Sequence, residues 1–128
     1  MIADRVTAKI MATNFCAGRT HDFQLFKESR CGILPQTRVL ADAGYQGLAD
    51  IHMNSHTPTK KTKCHPLTKT PQKSNRSLAR ERIVIENILR KLKIFRILSE
   101  RYRNRRKRFG LRFNLIAAIY NMELKTTK

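Results

Sequence analysis

Apolar positions alternate from Val6 to Phe15, with Val6, Ala8, Ile10 and Ala12 on one side, which predicts a β-strand entered through a turn at Asp4-Arg5. Ala17-Gly18-Arg19 breaks that run. Thr20 then offers a helix N-cap, Asp22 suits the positive first turn, and Phe23, Leu25 and Phe26 form the buried side of a helix that ends near Ser29. Beyond Pro35, Arg38 to Ala41 reads as a short apolar strand that delivers Asp42 at its C-terminal end. Gly44 and Gly47 bracket a tight turn through Tyr45 and Gln46.

Periodicity then disappears. Residues 55–76 contain Pro58, Pro66 and Pro71, five lysines and many threonines, the composition of a mobile basic loop. Ser77 is the expected cap of a long helix running to about Leu98, with Leu78, Ile85, Ile88, Leu89, Leu92 and Phe95 as its core stripe. Residues 101–108 form a basic segment, six cations in eight positions. Gly110 opens a final helix whose packing face is expected at Leu111, Leu115, Ala118, Ile119 and Met122. The result is an α/β arrangement with too few strands. Two strands cannot bury both faces of a sheet against three helices, so the chain pairs with another or lacks part of its sheet.

Charge narrows the partner. The 128 residues, enough for a single domain, include 27 Lys and Arg against 9 Asp and Glu, for a formal charge of +18. Between Thr59 and Arg112 there are 19 basic and 3 acidic residues. Such density favours a polyanion, because each neutralised phosphate releases condensed counterions. A membrane is not the expected partner. No apolar run approaches the roughly 18 residues of a spanning helix, and Met1 to Arg5 lacks a signal-peptide core. Cys16, Cys31 and Cys64 are odd in number and form no C-x-x-C pair, which suggests reduced thiols in the cytoplasm. His52-x3-His56 with Cys64-His65 fits no common zinc spacing, so no zinc is expected.

One carboxylate stands out among the cations of the long helix: Arg82-x3-Glu86-x6-Lys93. At about 100° per residue, Arg82, Glu86, Arg90 and Lys93 share one face. An exposed salt-bridge ladder has this pattern, and so does a carboxylate that binds metal beside a phosphate. Asp42, at a strand end before a glycine turn, adds a second hard oxygen donor where open α/β sheets place ligands.

The chain resembles bacterial insertion-sequence transposases of the DDE, RNase H-like superfamily, of the insertion-sequence-five type. Leu40-Ala41-Asp42-Ala43-Gly44-Tyr45-Gln46-Gly47 is similar to that family's second-aspartate motif, and Arg82-x3-Glu86-x6-Lys93 to its glutamate signature. Gly18 to Phe23, Leu25-Phe26-Lys27, Tyr102 to Arg106 and Phe109 to Ala117 follow in the family's order. The resemblance implies that Asp42 and Glu86 are two of three catalytic acids binding Mg2+ or Mn2+. It implies that Arg82 and Lys93 contact DNA near the scissile phosphate. Arg90, Lys60, Lys61, Lys63, Arg101, Arg103, Arg105, Arg106, Lys107 and Arg108 are the further cations expected to hold DNA.

Two departures qualify the match. Ala79 occupies the position where the family often carries a tyrosine, three residues before the arginine. The family's first aspartate lies on an earlier strand. Asp4 fits a hairpin turn and Asp22 a helix start, so neither is expected to replace it. The implied fold is an incomplete RNase H-like domain lacking its first strands, with a C-terminal helical extension. The implied function is DNA transposition by metal-assisted phosphodiester transfer, with this chain inactive alone unless an N-terminal segment completes it. An intact, full-length transposase is a further expected partner. A truncated DNA-binding product, or a pseudogene remnant, is the alternative; either way the location expected is the bacterial cytoplasm, on the nucleoid.

Overall fold

The computed structural model describes residues 1–16, 18–60, 68–100 and 108–126. These form four short strands, β1 (Ile2–Ala3), β2 (Ile10–Ala12), β3 (Val39–Leu40) and β4 (Ser55–His56), and four helices, α1 (Asp22–Ser29), α2 (Lys69–Leu92), α3 (Arg96–Ser99) and α4 (Phe109–Thr126). A single 3₁₀ turn spans Leu48–Asp50. The mixed α/β class agrees with the sequence reading. The described strands make two separate two-stranded sheets, antiparallel β1-β2 and parallel β3-β4. The chain divides into two compact units, one of Met1–Phe15 with Ile83–Lys128 and one of Cys16–Arg82.

The first unit is built on apolar burial. Ile10, Ile88, Leu92, Ile116, Ala117 and Tyr120 form its core, joining the β1-β2 hairpin, the second half of α2 and α4. Asn121 of α4 closes the open side of β2: its Nδ2 donates to the Ile10 carbonyl at 2.9 Å, and its Oδ1 accepts the Ile10 N–H at 2.9 Å. Tyr120 donates its hydroxyl to the Ala8 carbonyl at 3.2 Å, and Thr13 bonds Asn114. Strand groups that would otherwise lack ladder partners are thereby satisfied by side chains.

The strand expected over Val6–Phe15 is shorter. Residues 4–7 are a turn, and Val6 is 86% exposed. The Asp4 carboxylate accepts the Val6 and Thr7 N–H groups, both at 3.1 Å, and the Thr7 hydroxyl. These bonds hold the Asp4 carboxyl below the usual carboxylate range, the Thr7 hydroxyl contributing most. The Asp4 N–H to Lys9 carbonyl bond closes the hairpin at 2.8 Å. Asp4 is thus a turn residue, as its sequence position suggested.

The α4 face also differs from expectation. Leu111, Leu115, Ala118, Ile119 and Met122 are exposed, whereas Ile116, Ala117 and Tyr120 are buried. Both sides of this helix are apolar, so periodicity cannot choose between them. The polar tips of Tyr120 and Asn121 do choose, because only their face can reach the hairpin backbone.

The second unit relies on hydrogen bonds. Among the described residues Leu48 and Leu78 are its buried apolar side chains, and His52 is buried with its Nε2 2.6 Å from the Thr37 carbonyl. A carbonyl only accepts, so Nε2 carries the proton. Asn54 donates to the Gln36 carbonyl at 3.1 Å, fixing the approach of β4 to β3. The helix α1 ends at Ser29 as expected, but its cap is His21 rather than Thr20: the His21 Nδ1 accepts the Phe23 N–H at 3.3 Å.

Two corrections concern α2. The segment expected to be a loop over residues 55–76 contains β4 and the first two turns of α2, with residues 61–67 outside the described part. Ser77 is inside the helix, not its cap. Pro71 falls in the first turn, where its missing N–H would have no intrahelical partner, so it starts a helix instead of breaking one. The helix then stops at Leu92 rather than Leu98, and Phe95 caps the short α3.

Candidate functional site

Asp42 is set by local backbone on both sides. The strand β3 pairs with β4 up to the Ala41 N–H, which donates to the His56 carbonyl at 3.0 Å. Asp42 is the next residue, and its own carbonyl accepts the Tyr45 N–H at 2.9 Å, turning the chain sharply. A second turn, the Leu48 N–H to the Tyr45 carbonyl at 3.1 Å, follows at once. Gly47 has φ +85°, in the left-handed region where a side chain is strained, so the glycine is required there. The strand-end placement and the glycine turn read from the sequence are both present.

Behind this turn lies an aromatic wall. Tyr45 meets Phe23 edge-on at 5.8 Å and Phe26 at 6.2 Å, which seats the turn against α1. Burial pushes the Tyr45 hydroxyl up from its ordinary value, and the negative charges of Asp22 and Asp42 push it further. Gln46 adds polar ties, its Nε2 donating to the Ala43 carbonyl at 3.2 Å and the Pro58 carbonyl at 3.1 Å.

The first part of α2 is fastened to β3 by two ion pairs. Arg38, just before β3, donates to both Glu81 oxygens, at 3.0 and 3.2 Å, in a forked arrangement. Asp42, just after β3, has its Oδ2 3.4 Å from the Arg82 Nη2. The other oxygen, Oδ1, accepts the Ala43 N–H. The Asp42 side chain remains open to solvent, 61% exposed, while Arg82 is only 21% exposed. Arg38 and Glu81 were not singled out from the sequence, and Tyr45 only as part of the glycine turn and its motif. The sequence signal of the two charged residues is position: Glu81 sits immediately before Arg82, and Arg38 two residues before Leu40.

Glu86 belongs to the other unit, on the second half of α2. It is exposed, as are Leu89 and Phe95, which the sequence placed in the core stripe. Ile88 and Leu92 are the buried residues of this half, which turns Glu86 to the surface. There it lines a shallow open depression with Leu89 and with Arg90 and Lys93, two of the cations predicted to share its face. Among the described residues Glu86 makes no ion pair, and Arg82 turns to Asp42, so the pattern is not a salt-bridge ladder.

Lys60, Arg90, Lys93 and Arg108 are exposed cations. Lys61, Lys63, Arg101, Arg103, Arg105, Arg106 and Lys107 lie outside the described residues, as do Tyr102, Cys64 and His65. Among the described residues no group of three or more His, Cys, Asp or Glu could hold a metal ion. His52, one of the four residues weighed for zinc, uses its Nε2 on Thr37. The donor chemistry of Asp42 suits a hard divalent cation, but the described residues do not make a complete site for one. No helix of the described residues is long and apolar enough to cross a membrane.

Comparison with known sequences gives the class of protein. The chain belongs to the DDE superfamily endonuclease family, whose sequence profile matches residues 2–121. It is 50% identical over 124 residues to a protein of Microchaete diplosiphon described as the probable transposase for insertion sequence element IS702. That match covers 97% of this chain and 45% of the relative, so the chain spans less than half the length of the curated relative it matches. No solved structure matches it.

Proposed function

We propose that this chain is the C-terminal portion of a transposase that acts in DNA transposition, with Asp42 and Glu86 as two of the three acids of a divalent-metal site. The observation that carries this reading is the seating of Asp42. Its carboxylate stands at the end of β3, tied through Arg82 to the helix that also carries Glu86. The metal, Mg2+ or Mn2+, would supply charge stabilisation at a phosphodiester; the chain's own part is to hold two hard oxygen donors and a cationic surface for the DNA backbone. An N-terminal transposase segment would supply the third acid and complete an RNase H-like fold. The chain alone holds DNA without cutting it, as a truncated binding product would. Arg82, Arg90, Lys93 and Lys60 take phosphates, joined by the cations of residues 61–63 and 101–108.

A salt titration of the chain on duplex DNA tests the binding half of this reading. Six or more phosphate contacts lower affinity by about a thousandfold or more between 50 and 200 mM salt. A response of less than about tenfold would sink it. Removing one cation, as in Lys93→Gln, should lower the salt slope by about 1 and weaken all sequences alike.

A further inference from the structure

The helix α4 is apolar on two sides and buries one. Ile116, Ala117 and Tyr120 lie in the core of the first unit. On the other side Leu111, Leu115 and Met122 are 73%, 60% and 67% exposed, with Ala118 and Ile119 exposed between them. Leu111, Leu115, Ala118 and Met122 follow at steps of four, three and four, the spacing of a seam that packs along a second, nearly aligned helix. A helix apolar all round is ordinarily buried, and a contiguous exposed apolar stripe marks a contact surface. The chain does not hold the cover itself. Residues 61–67, 101–107 and 127–128, outside the described part, offer Cys64, Pro66, Leu67 and Tyr102 as their larger apolar side chains, scattered among cations.

We propose that this face of α4 is where the segment preceding this chain in an intact transposase docks, through an amphipathic helix laid along Leu111, Leu115, Ala118 and Met122. This rests on the reading of the chain as the C-terminal portion of such a protein. Length supports that occupant: the chain matches 45% of its relative, so more than half of the relative lies outside the match. Area argues against a second copy of the chain. Five residues of one helix fall well short of the roughly 20–30 residues a side of a stable interface between free proteins. A segment joined to the chain needs far less surface, because a short link holds it at an effective concentration of about a millimolar. Ala118, in the middle of the seam, leaves room for a close approach of the two helices. The face belongs to the unit that carries Glu86, so docking there brings the segment to that unit.

The test joins to Met1 the part of the Microchaete diplosiphon relative that precedes its matched stretch, and compares this joined protein with the full chain alone. Broadening of methionine methyl resonances by a dissolved nitroxide reports exposure. In the chain alone Met122 and Met53 should both broaden; in the joined protein Met122 should be protected while Met53, on the second unit, stays broadened. Leu115→Glu should raise the undocked fraction of the joined protein, read from Met122, by about tenfold or more. In the chain alone the same change should leave the urea midpoint where it was, since the position is exposed there. Leu111→Glu repeats the measurement should Leu115→Glu lower that midpoint. Met53→Glu, at another exposed apolar position, should leave the joined protein docked. A joined protein that nicks plasmid DNA in Mg2+ with Met122 still broadened would overturn the inference and leave the reading of the chain standing. Self-association of the chain alone, abolished by Leu115→Glu, would overturn it in favour of a second copy. Neither nicking nor protection of Met122 in the joined protein would overturn the reading and the inference together.

Discussion

The two units of this chain are held together by different physics. In the first, six buried residues from the hairpin, α2 and α4 share one apolar cluster, and polar bonds serve mainly to close the edge of β2. In the second, Leu48 and Leu78 are the buried apolar residues among those described, the Phe23, Phe26 and Tyr45 rings seat the turn on α1, and polar pins supply much of the rest: His52 to Thr37, Asn54 to Gln36, Arg38 to Glu81, and Asn75 to Thr59 by two bonds of 3.0 Å. Apolar contacts are non-directional, whereas hydrogen bonds fix distance and angle. The unit that carries Asp42 is the one built from directional bonds. Glu86 stands on the apolar one. Asp42 thus stands where the backbone is pinned, and the half of α2 that presents Arg90 and Lys93 is anchored by bulk burial.

Cavity formation in the first unit should have the largest effect. Ile88, 1% exposed, touches the centre of the cluster, and Ile88→Ala should cost about 2–5 kcal/mol. In amide exchange the loss should appear first in α2 beyond Ile83 and in α4; equal acceleration around Asp42 would show that the two units unfold as one. Next comes His52→Phe, which keeps the ring volume and removes the donor to the Thr37 carbonyl. It should cost about 0.5–1.5 kcal/mol, read as faster exchange at β3, β4 and the Asp42 turn. Exchange confined to α4 would contradict the division into polar and apolar units.

The same contrast explains what could be read from the sequence. Asp42 and its turn were legible because Gly44, Gly47 and the apolar run Val39-Leu40 leave few alternatives. Glu86 and Lys93 were placed on one face correctly, since the helix period alone decides that. The exposure of Glu86 was not legible: Ile85, Ile88, Leu89 and Leu92 crowd one arc, and only packing selects Ile88 and Leu92. The face of α4 failed for the same reason. Residues 69–76 were read as loop because Pro71 and the lysines outweighed the absence of any breaker between Gln72 and Leu78. The polar pins leave almost no trace in sequence, since His52 and Asn54 are ordinary loop residues, and Asn75 an ordinary helix residue, until their partners are known.

A smaller effect comes with alkali. Tyr45 has a raised pKa in the folded chain, so its contribution is fully present below the unfolded value of about 10 and is lost as pH rises through the higher folded value. Melting followed above pH 10 should show the second unit losing stability with rising pH, and Tyr45→Phe should flatten that dependence. An unchanged slope in Tyr45→Phe would mean that the hydroxyl is not the group responsible.

In the proposed function this chain carries two acids of a transposase site and does not cut without the third. Nicking of supercoiled plasmid by the purified chain in Mg2+ or Mn2+ tests it most directly. The account predicts DNA binding with no metal-dependent nicking above that of the Asp42→Asn and Glu86→Ala chains. Metal-dependent nicking by the unaltered chain, abolished by Glu86→Ala, would contradict it.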